Sequence, residues 1–87
     1  MSGYGLSASV QRTFEVDKGH INLFEYDVNG NLIYYGIAYG STQASDVGWK
    51  IQKFVYDVSG NLLSRHWANG VEEFVSVWND RGSLSYL

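Results

Sequence analysis

The sequence predicts an all-β fold: a small antiparallel meander of five or six strands, drawn into a strongly twisted sheet or a small barrel. Three observations predict it. The first is a turn phrase written twice, as Tyr26-Asp27-Val28-Asn29-Gly30-Asn31-Leu32 and Tyr56-Asp57-Val58-Ser59-Gly60-Asn61-Leu62, with a weaker echo in Trp78-Asn79-Asp80-Arg81-Gly82-Ser83-Leu84. Each copy ends one apolar-rich run and opens the next. Polar residues followed by Gly at such a junction mark a hairpin, because Gly accepts the positive φ that tight turns require. The second is that the intervening runs are rich in Val, Ile, Tyr and Phe, the residues that suit a pleated, half-buried surface. The third is spacing: the glycines of the two full copies lie 30 residues apart and the third comes 22 residues later, too uneven for a solenoid of stacked identical units.

The elements follow in order. Residues 1–9, small in character, are expected to form a flexible N-terminal arm, and residues 10–87 a single β domain. Val10–Val16 suits a first strand, ended by a turn at Asp17-Lys18-Gly19. Residues 20–28 carry Ile21, Leu23, Phe24, Tyr26 and Val28, and residues 32–39 carry Ile33, Tyr34, Tyr35, Ile37 and Tyr39, as two further strands. Tyr34 and Tyr35 are consecutive, so they face opposite sides of their strand, and one side of the sheet receives a tyrosine that the core does not need. Gly40–Val47 is a loop with a short helical turn near Ala44, and the segment expected to be mobile or to touch a partner. Residues 49–58 alternate Gln52, Phe54, Tyr56 and Val58 against Ile51, Lys53, Val55 and Asp57, and residues 62–67 complete that hairpin. Asn69-Gly70 is a strong turn signal leading into an alternating strand over 71–78, and Asp80-Arg81-Gly82 turns the chain into a short last strand at 83–87.

Bulk composition narrows the function. At 87 residues the chain makes one domain, with a narrow stability margin. No cysteine is present, which removes disulfides, thiolate metal sites and a cysteine nucleophile. The net charge is −3, with only 6 scattered basic residues, so a nucleic-acid partner is not expected. The start Met1-Ser2-Gly3-Tyr4-Gly5 has no basic region leading into an apolar stretch, and no run of apolar residues is long enough for a membrane helix; neither a signal peptide nor a membrane is expected.

Residues that invite a chemical reading resolve into structure. His20 and His66 stand in no HxH or HExxH spacing. Asp27 and Asp57 resemble a carboxylate pair for glycoside hydrolysis, but their repetition inside one turn phrase is what a structural role predicts, each aspartate accepting backbone N–H bonds across its turn. Asp27, Gly30, Asn31, Asp57, Gly60, Asn61, Asn69, Gly70, Asp80 and Gly82 are therefore read as structural turn residues. Neither a phosphate-binding glycine loop nor a calcium loop is spelled out. No catalytic residue, metal or cofactor is expected. Aromatics make up 16% of the chain, with 7 Tyr, 4 Phe and 3 Trp. Tyr35, Tyr39, Trp49, Trp67 and Trp78 are the candidates for a subunit interface or a ligand platform, with core packing as the alternative for each tryptophan. For sugar stacking the candidate grouping is Trp67, Asn69 and Trp78.

Two family resemblances attach to these residues. The phrase Tyr-Asp-x-x-Gly-Asn-Leu resembles the unit of the YD-repeat (RHS) proteins, large shells of β hairpins, over about seven residues per copy. A longer stretch, Ile33-Tyr34-Tyr35-Gly36-Ile37-Ala38, the break Gly40-Ser41-Thr42, Trp49-Lys50-Ile51-Gln52-Lys53-Phe54, Trp67-Ala68-Asn69-Gly70, Phe74 and the ending Val77 to Tyr86, is similar to small proteins encoded among structural genes of tailed bacteriophages. Those proteins commonly have Pro before the Gly of the break, where this chain has Tyr39, and Asp where Asn79 stands. The resemblance implies a virion-associated component assembled in the host cytoplasm, with itself or another phage structural protein as partner. The expectation is thus a non-enzymatic assembly module acting through protein–protein contacts, with a glycan- or host-receptor-binding domain as the alternative and an inhibitor of a host protein as a further one.

Overall fold

The computed structural model describes residues 9–15 and 19–87; the expected arm at 1–9 falls outside these, apart from the backbone of Ser9, as do Val16, Asp17 and Lys18. Five strands form an antiparallel meander in chain order: β1 (Ser9–Glu15), β2 (His20–Tyr26), β3 (Leu32–Tyr39), β4 (Val47–Tyr56) and β5 (Leu62–Trp67). A short β6 (Ser76–Val77) joins the other end of β4, opposite Val47 and Trp49, and continues into a 3₁₀ helix at Trp78–Ser83. The sheet is strongly twisted, and β1 and β5 remain its two ends, so the barrel alternative does not form.

The two turn phrases fold alike. Asp27 N–H donates to Asn31 C=O at 2.8 Å and Gly30 N–H to Asp27 C=O at 3.0 Å; the second copy repeats this with Asp57, Asn61 and Gly60 at 2.9 and 3.1 Å. Gly30 and Gly60 have φ of +87° and +88°. This is a three-residue hairpin loop that ends in a left-handed glycine. One Asp27 oxygen accepts from the N–H groups of Asn29 and Asn31, both at 2.9 Å, and Asp57 accepts identically from Ser59 and Asn61. Each hairpin then carries a bulge at the equivalent place: Glu25 opposes Tyr34 while Tyr26 opposes Leu32, and Val55 opposes Ser64 while Tyr56 opposes Leu62. Ile33 and Leu63 are the extra residues, and such bulges increase strand twist.

The core lies on one face of the sheet. Ile21, Leu23, Ala38, Trp49, Ile51, Ala68 and Trp78 are buried there. Trp49 and Trp78 meet at 6.0 Å between centroids. The C-terminal segment covers this face: Leu84 and Tyr86 pack on the core, Ala68 bridges to Tyr86, and Asn69 N–H donates to Ser85 C=O. Arg81 closes the cover, its Nε 2.6 Å from Glu25 Oε1 and its guanidinium carbon 4.5 Å from the centre of the Trp78 ring.

The C-terminal third differs from the expected strands. Asn69 (φ +56°) and Gly70 (φ +73°) do turn the chain, but residues 71–75 form no strand, and only Ser76–Val77 of the expected 71–78 strand is extended in a ladder. Side-chain packing overrides the local alternation here: Phe74 turns onto His20 and Tyr39, and Glu72 reaches Lys50 at 3.8 Å. Asp80-Arg81-Gly82 is no hairpin turn. It lies within the 3₁₀ helix because burial of Trp78 and the Arg81–Glu25 pair hold the chain against the sheet. The last expected strand at 83–87 is reduced to the Ala68–Tyr86 bridge.

Candidate functional site

The register of the sheet sorts the side chains into rows across the strands, because residues paired on neighbouring strands point to the same side. On the covered face one row runs Leu23, Gly36, Ile51, and the next runs Glu25, Tyr34, Lys53, His66. On the opposite face one row runs Gln11, Phe24, Tyr35, Gln52, Trp67 across all five strands, and the next runs Thr13, Asn22, Ile37, Lys50. The C-terminal cover packs on the first face. Among the described residues the second is overlaid near His20, Tyr39 and Lys50, where Phe74 rests. Beside this overlay lies a shallow depression of about 460 Å³ among Asn22, Phe24, Tyr35, Gln52, Phe54 and Arg65.

The floor of the depression is tied by hydrogen bonds. Asn22 is only 8% exposed. Its amide nitrogen donates to Thr13 Oγ1 at 3.3 Å and its oxygen accepts from the Tyr35 hydroxyl at 3.1 Å, so this buried polar group is satisfied. Tyr35 stacks on Phe24 with centroids 5.1 Å apart and planes 22° apart. Gln52 lies directly opposite Trp67, and Phe54 directly opposite Arg65. These four residues make a square on one face, with hydrogen-bond donors on one diagonal and aromatics on the other.

The expected aromatic candidates therefore divide. Tyr35, Tyr39 and Trp67 lie on the open face, Tyr39 being 58% exposed beside His20 and Phe74. Trp49 and Trp78 are 0% and 2% exposed in the core. The expected Trp67, Asn69 and Trp78 grouping is thereby dissolved, because Trp67 and Trp78 lie on opposite sides of the sheet. Phe24, Gln52, Phe54 and Arg65 were not singled out by the sequence; the alternation of Gln52 and Phe54 against Ile51 and Lys53 was the signal that placed two of them away from the core.

A second concavity of about 720 Å³ lies between the paired turns and is lined by Asp27, Asn29, Asn31, Lys53, Asp57 and Ser59 among others. Its carboxylates are engaged by their own turns. Hydrogen bonds from Asn61, Ser59 and Gly60 hold the Asp57 carboxyl below the usual carboxylate range, that from the Asn61 backbone counting most. Tyr56 at its edge donates to Leu32 C=O at 2.6 Å, and burial, helped by the nearby Asp27 charge, pushes its hydroxyl pKa up. The expected loop at 40–47 is also tied in place: Asp46 accepts from Gln43 N–H at 2.8 Å, Trp49 Nε1 donates to Gln43 C=O at 2.9 Å, and Asn79 N–H to Ala44 C=O at 3.0 Å. Among the described residues no group of three or more His, Asp or Glu side chains gathers in one place, and no helix is long and apolar enough to cross a membrane.

No protein-family model, curated protein or solved structure matches the chain.

Proposed function

We propose that this chain is a non-enzymatic structural module that docks to a partner protein through the open face of its sheet, as a component of a tailed-phage particle. The observation that carries the docking is the row Phe24, Tyr35, Gln52 and Trp67, together with Phe54 and Arg65, which no other described element covers, on a domain whose C-terminal segment packs on the opposite face. Tyrosine, tryptophan and arginine are the residues that anchor protein interfaces. The phage setting rests on the resemblance of the segments 33–38, 40–42, 49–54, 67–70 and 77–86, with Phe74, to small proteins encoded among phage structural genes.

Quantitative mass spectrometry of purified particles tests the proposal: the chain at a fixed copy number per particle is expected, and loss of incorporation in a Phe54→Glu variant. Its presence in infected-cell lysate but not in particles overturns the virion reading, and saturable binding of neutral oligosaccharides to Trp67 overturns the protein-partner reading.

A further inference from the structure

We infer that the open face selects an apolar segment of another protein that carries a carboxylate, which it seats between Gln52 and Arg65; this inference rests on the docking role proposed above and names the chemistry of the partner. Of the other described cations, three have counterparts within the chain, and Arg12, exposed on β1 opposite Leu23, makes no ion pair among the described residues. Lys50 Nζ is 3.8 Å from Glu72, Arg81 is paired to Glu25, and Lys53 Nζ sits 5.6 Å from the centre of the Tyr86 ring. Arg65 is exposed on the end strand β5 and makes no ion pair or side-chain hydrogen bond among the described residues. Nor does the Gln52 amide, its diagonal neighbour on the same face.

Diagonal neighbours across an antiparallel pair lie about 7–8 Å apart, a gap that one carboxylate spans, taking N–H bonds from the guanidinium fork on one side and from the amide on the other. Phe54 and Trp67 occupy the other diagonal and supply apolar walls, which lower the local dielectric and strengthen those bonds. The chain is itself acidic, at −3, and its turn carboxylates Asp27 and Asp57 are bound by their own backbone. The counterpart inferred for Arg65 is a carboxylate of a different protein. Apolar residues beside the acidic one fit the depression against Phe24 and Tyr35.

The experiment is a ¹⁵N–¹H NMR titration of the whole chain with acetyl-Leu-Glu-Leu-amide, acetyl-Leu-Gln-Leu-amide and free N-acetylneuraminic acid. The Glu peptide is expected to shift the Gln52 side-chain amide, the Arg65 Nε–H and the Trp67 indole signals in a saturable way. The Gln peptide is expected to bind about three- to tenfold more weakly, the range for one partly exposed charged contact. Arg65→Gln should erase that difference while leaving the dispersion of the remaining amide signals unchanged, and Arg65→Glu should reverse the preference when acetyl-Leu-Lys-Leu-amide is added. Equal binding of the Glu and Gln peptides overturns carboxylate selection and leaves the docking face standing. Shifts produced by the acidic sugar but by neither peptide overturn the inference in favour of a glycan. Absence of any shift on this face at millimolar peptide overturns it outright, and concentration-dependent self-association through the same signals would make a second copy the occupant instead.

Discussion

Gly36 lies directly beneath the indole of Trp78. A methyl group built on Gly36 would come within 2.5 Å of Trp78 Cε3 and 2.7 Å of Cζ3, and within 3.2 Å of Trp49 Cε3. The strand thus offers a bare stretch of backbone on which the C-terminal tryptophan rests, and the missing side chain at position 36 is what lets the 3₁₀ helix approach the sheet.

Gly36→Ala is accordingly expected to destabilise the domain by about 1–3 kcal/mol, the usual cost of overpacking a core. This runs against the general gain in strand propensity when glycine is replaced. Urea unfolding followed by tryptophan fluorescence measures it. A variant as stable as the parent would mean that Trp78 does not sit over position 36. Trp78→Ala should cost more, about 3–5 kcal/mol, since it empties the core beside Trp49. In the double variant Gly36→Ala/Trp78→Ala the two losses should fall short of additive, because the second change removes the clash created by the first.

The Glu25–Arg81 pair fastens the same cover. Both side chains are largely withdrawn from water, at 17% and 21% exposure, and Nε and Oε1 are 2.6 Å apart. Arg81 also donates to Trp78 C=O at 3.2 Å and lies over the Trp78 ring. Removing one partner leaves a half-buried charge without its counterpart, so Arg81→Met is expected to cost about 1–3 kcal/mol. The double variant Glu25→Gln/Arg81→Met should recover part of that loss. Hydrogen exchange adds a local readout: amides of the 3₁₀ helix and of Ser85 should lose protection before those of β2 and β3. Uniform loss across the sheet would contradict a latch confined to the C-terminal cover.

How much of this was legible in the sequence differs between the two halves. The strands at 32–39 and 62–67 have the bounds that the sequence indicates, because Asp27 and Asp57 close their turns with local hydrogen bonds and Gly30 and Gly60 supply the positive φ. Those signals act within a few residues. The ending Trp78-Asn79-Asp80-Arg81-Gly82 resembles the same phrase, yet no paired strands flank it; its conformation is set by Gly36 and Glu25, more than forty residues away in the chain. The candidate face was half legible for a related reason. Composition marks tryptophans alike, but whether one joins the core or the open face depends on register, and the pairing of Gln52 with Trp67 is a property of the β4–β5 ladder.

The second turn predicts an acid-side effect. Hydrogen bonds to Asp57, first among them the one from the Asn61 backbone, lower its pKa in the folded chain relative to the unfolded one. The stabilisation is therefore fully present above the ordinary aspartate value, about 3.9, and is lost as pH falls through the lower folded value. Asp57→Asn should flatten the stability profile below about pH 4 while leaving its neutral and alkaline limbs parallel to those of the parent. Unfolding midpoints at a series of pH values give the comparison, and an unchanged acid limb would show that the turn does not bind the carboxylate more strongly than the unfolded chain does.

Three tyrosines set the opposite limb. Burial, together with the Glu25 charge, raises the Tyr34 pKa; burial raises Tyr56; and burial, with Tyr34 beside it, raises Tyr86 most. Tyr86 has reason to stay neutral: its hydroxyl donates to Arg81 C=O at 2.8 Å, and its ring lies 5.8 Å from that of Tyr34. A raised folded value means that the stabilisation is complete below the unfolded tyrosine pKa, about 10, and is lost as pH climbs through the folded values. The domain should thus hold full stability to about pH 10 and weaken above it, with the C-terminal cover releasing as Tyr86 ionises. Ultraviolet titration at 295 nm should resolve a late group, Tyr34, Tyr56 and Tyr86, whose ionisation coincides with unfolding. Tyr86→Phe should remove one member of the late group and extend stability to higher pH, at the cost of the hydrogen bond to Arg81, about 1 kcal/mol at neutral pH. If all tyrosines titrate together near 10, the C-terminus does not cover the sheet as described.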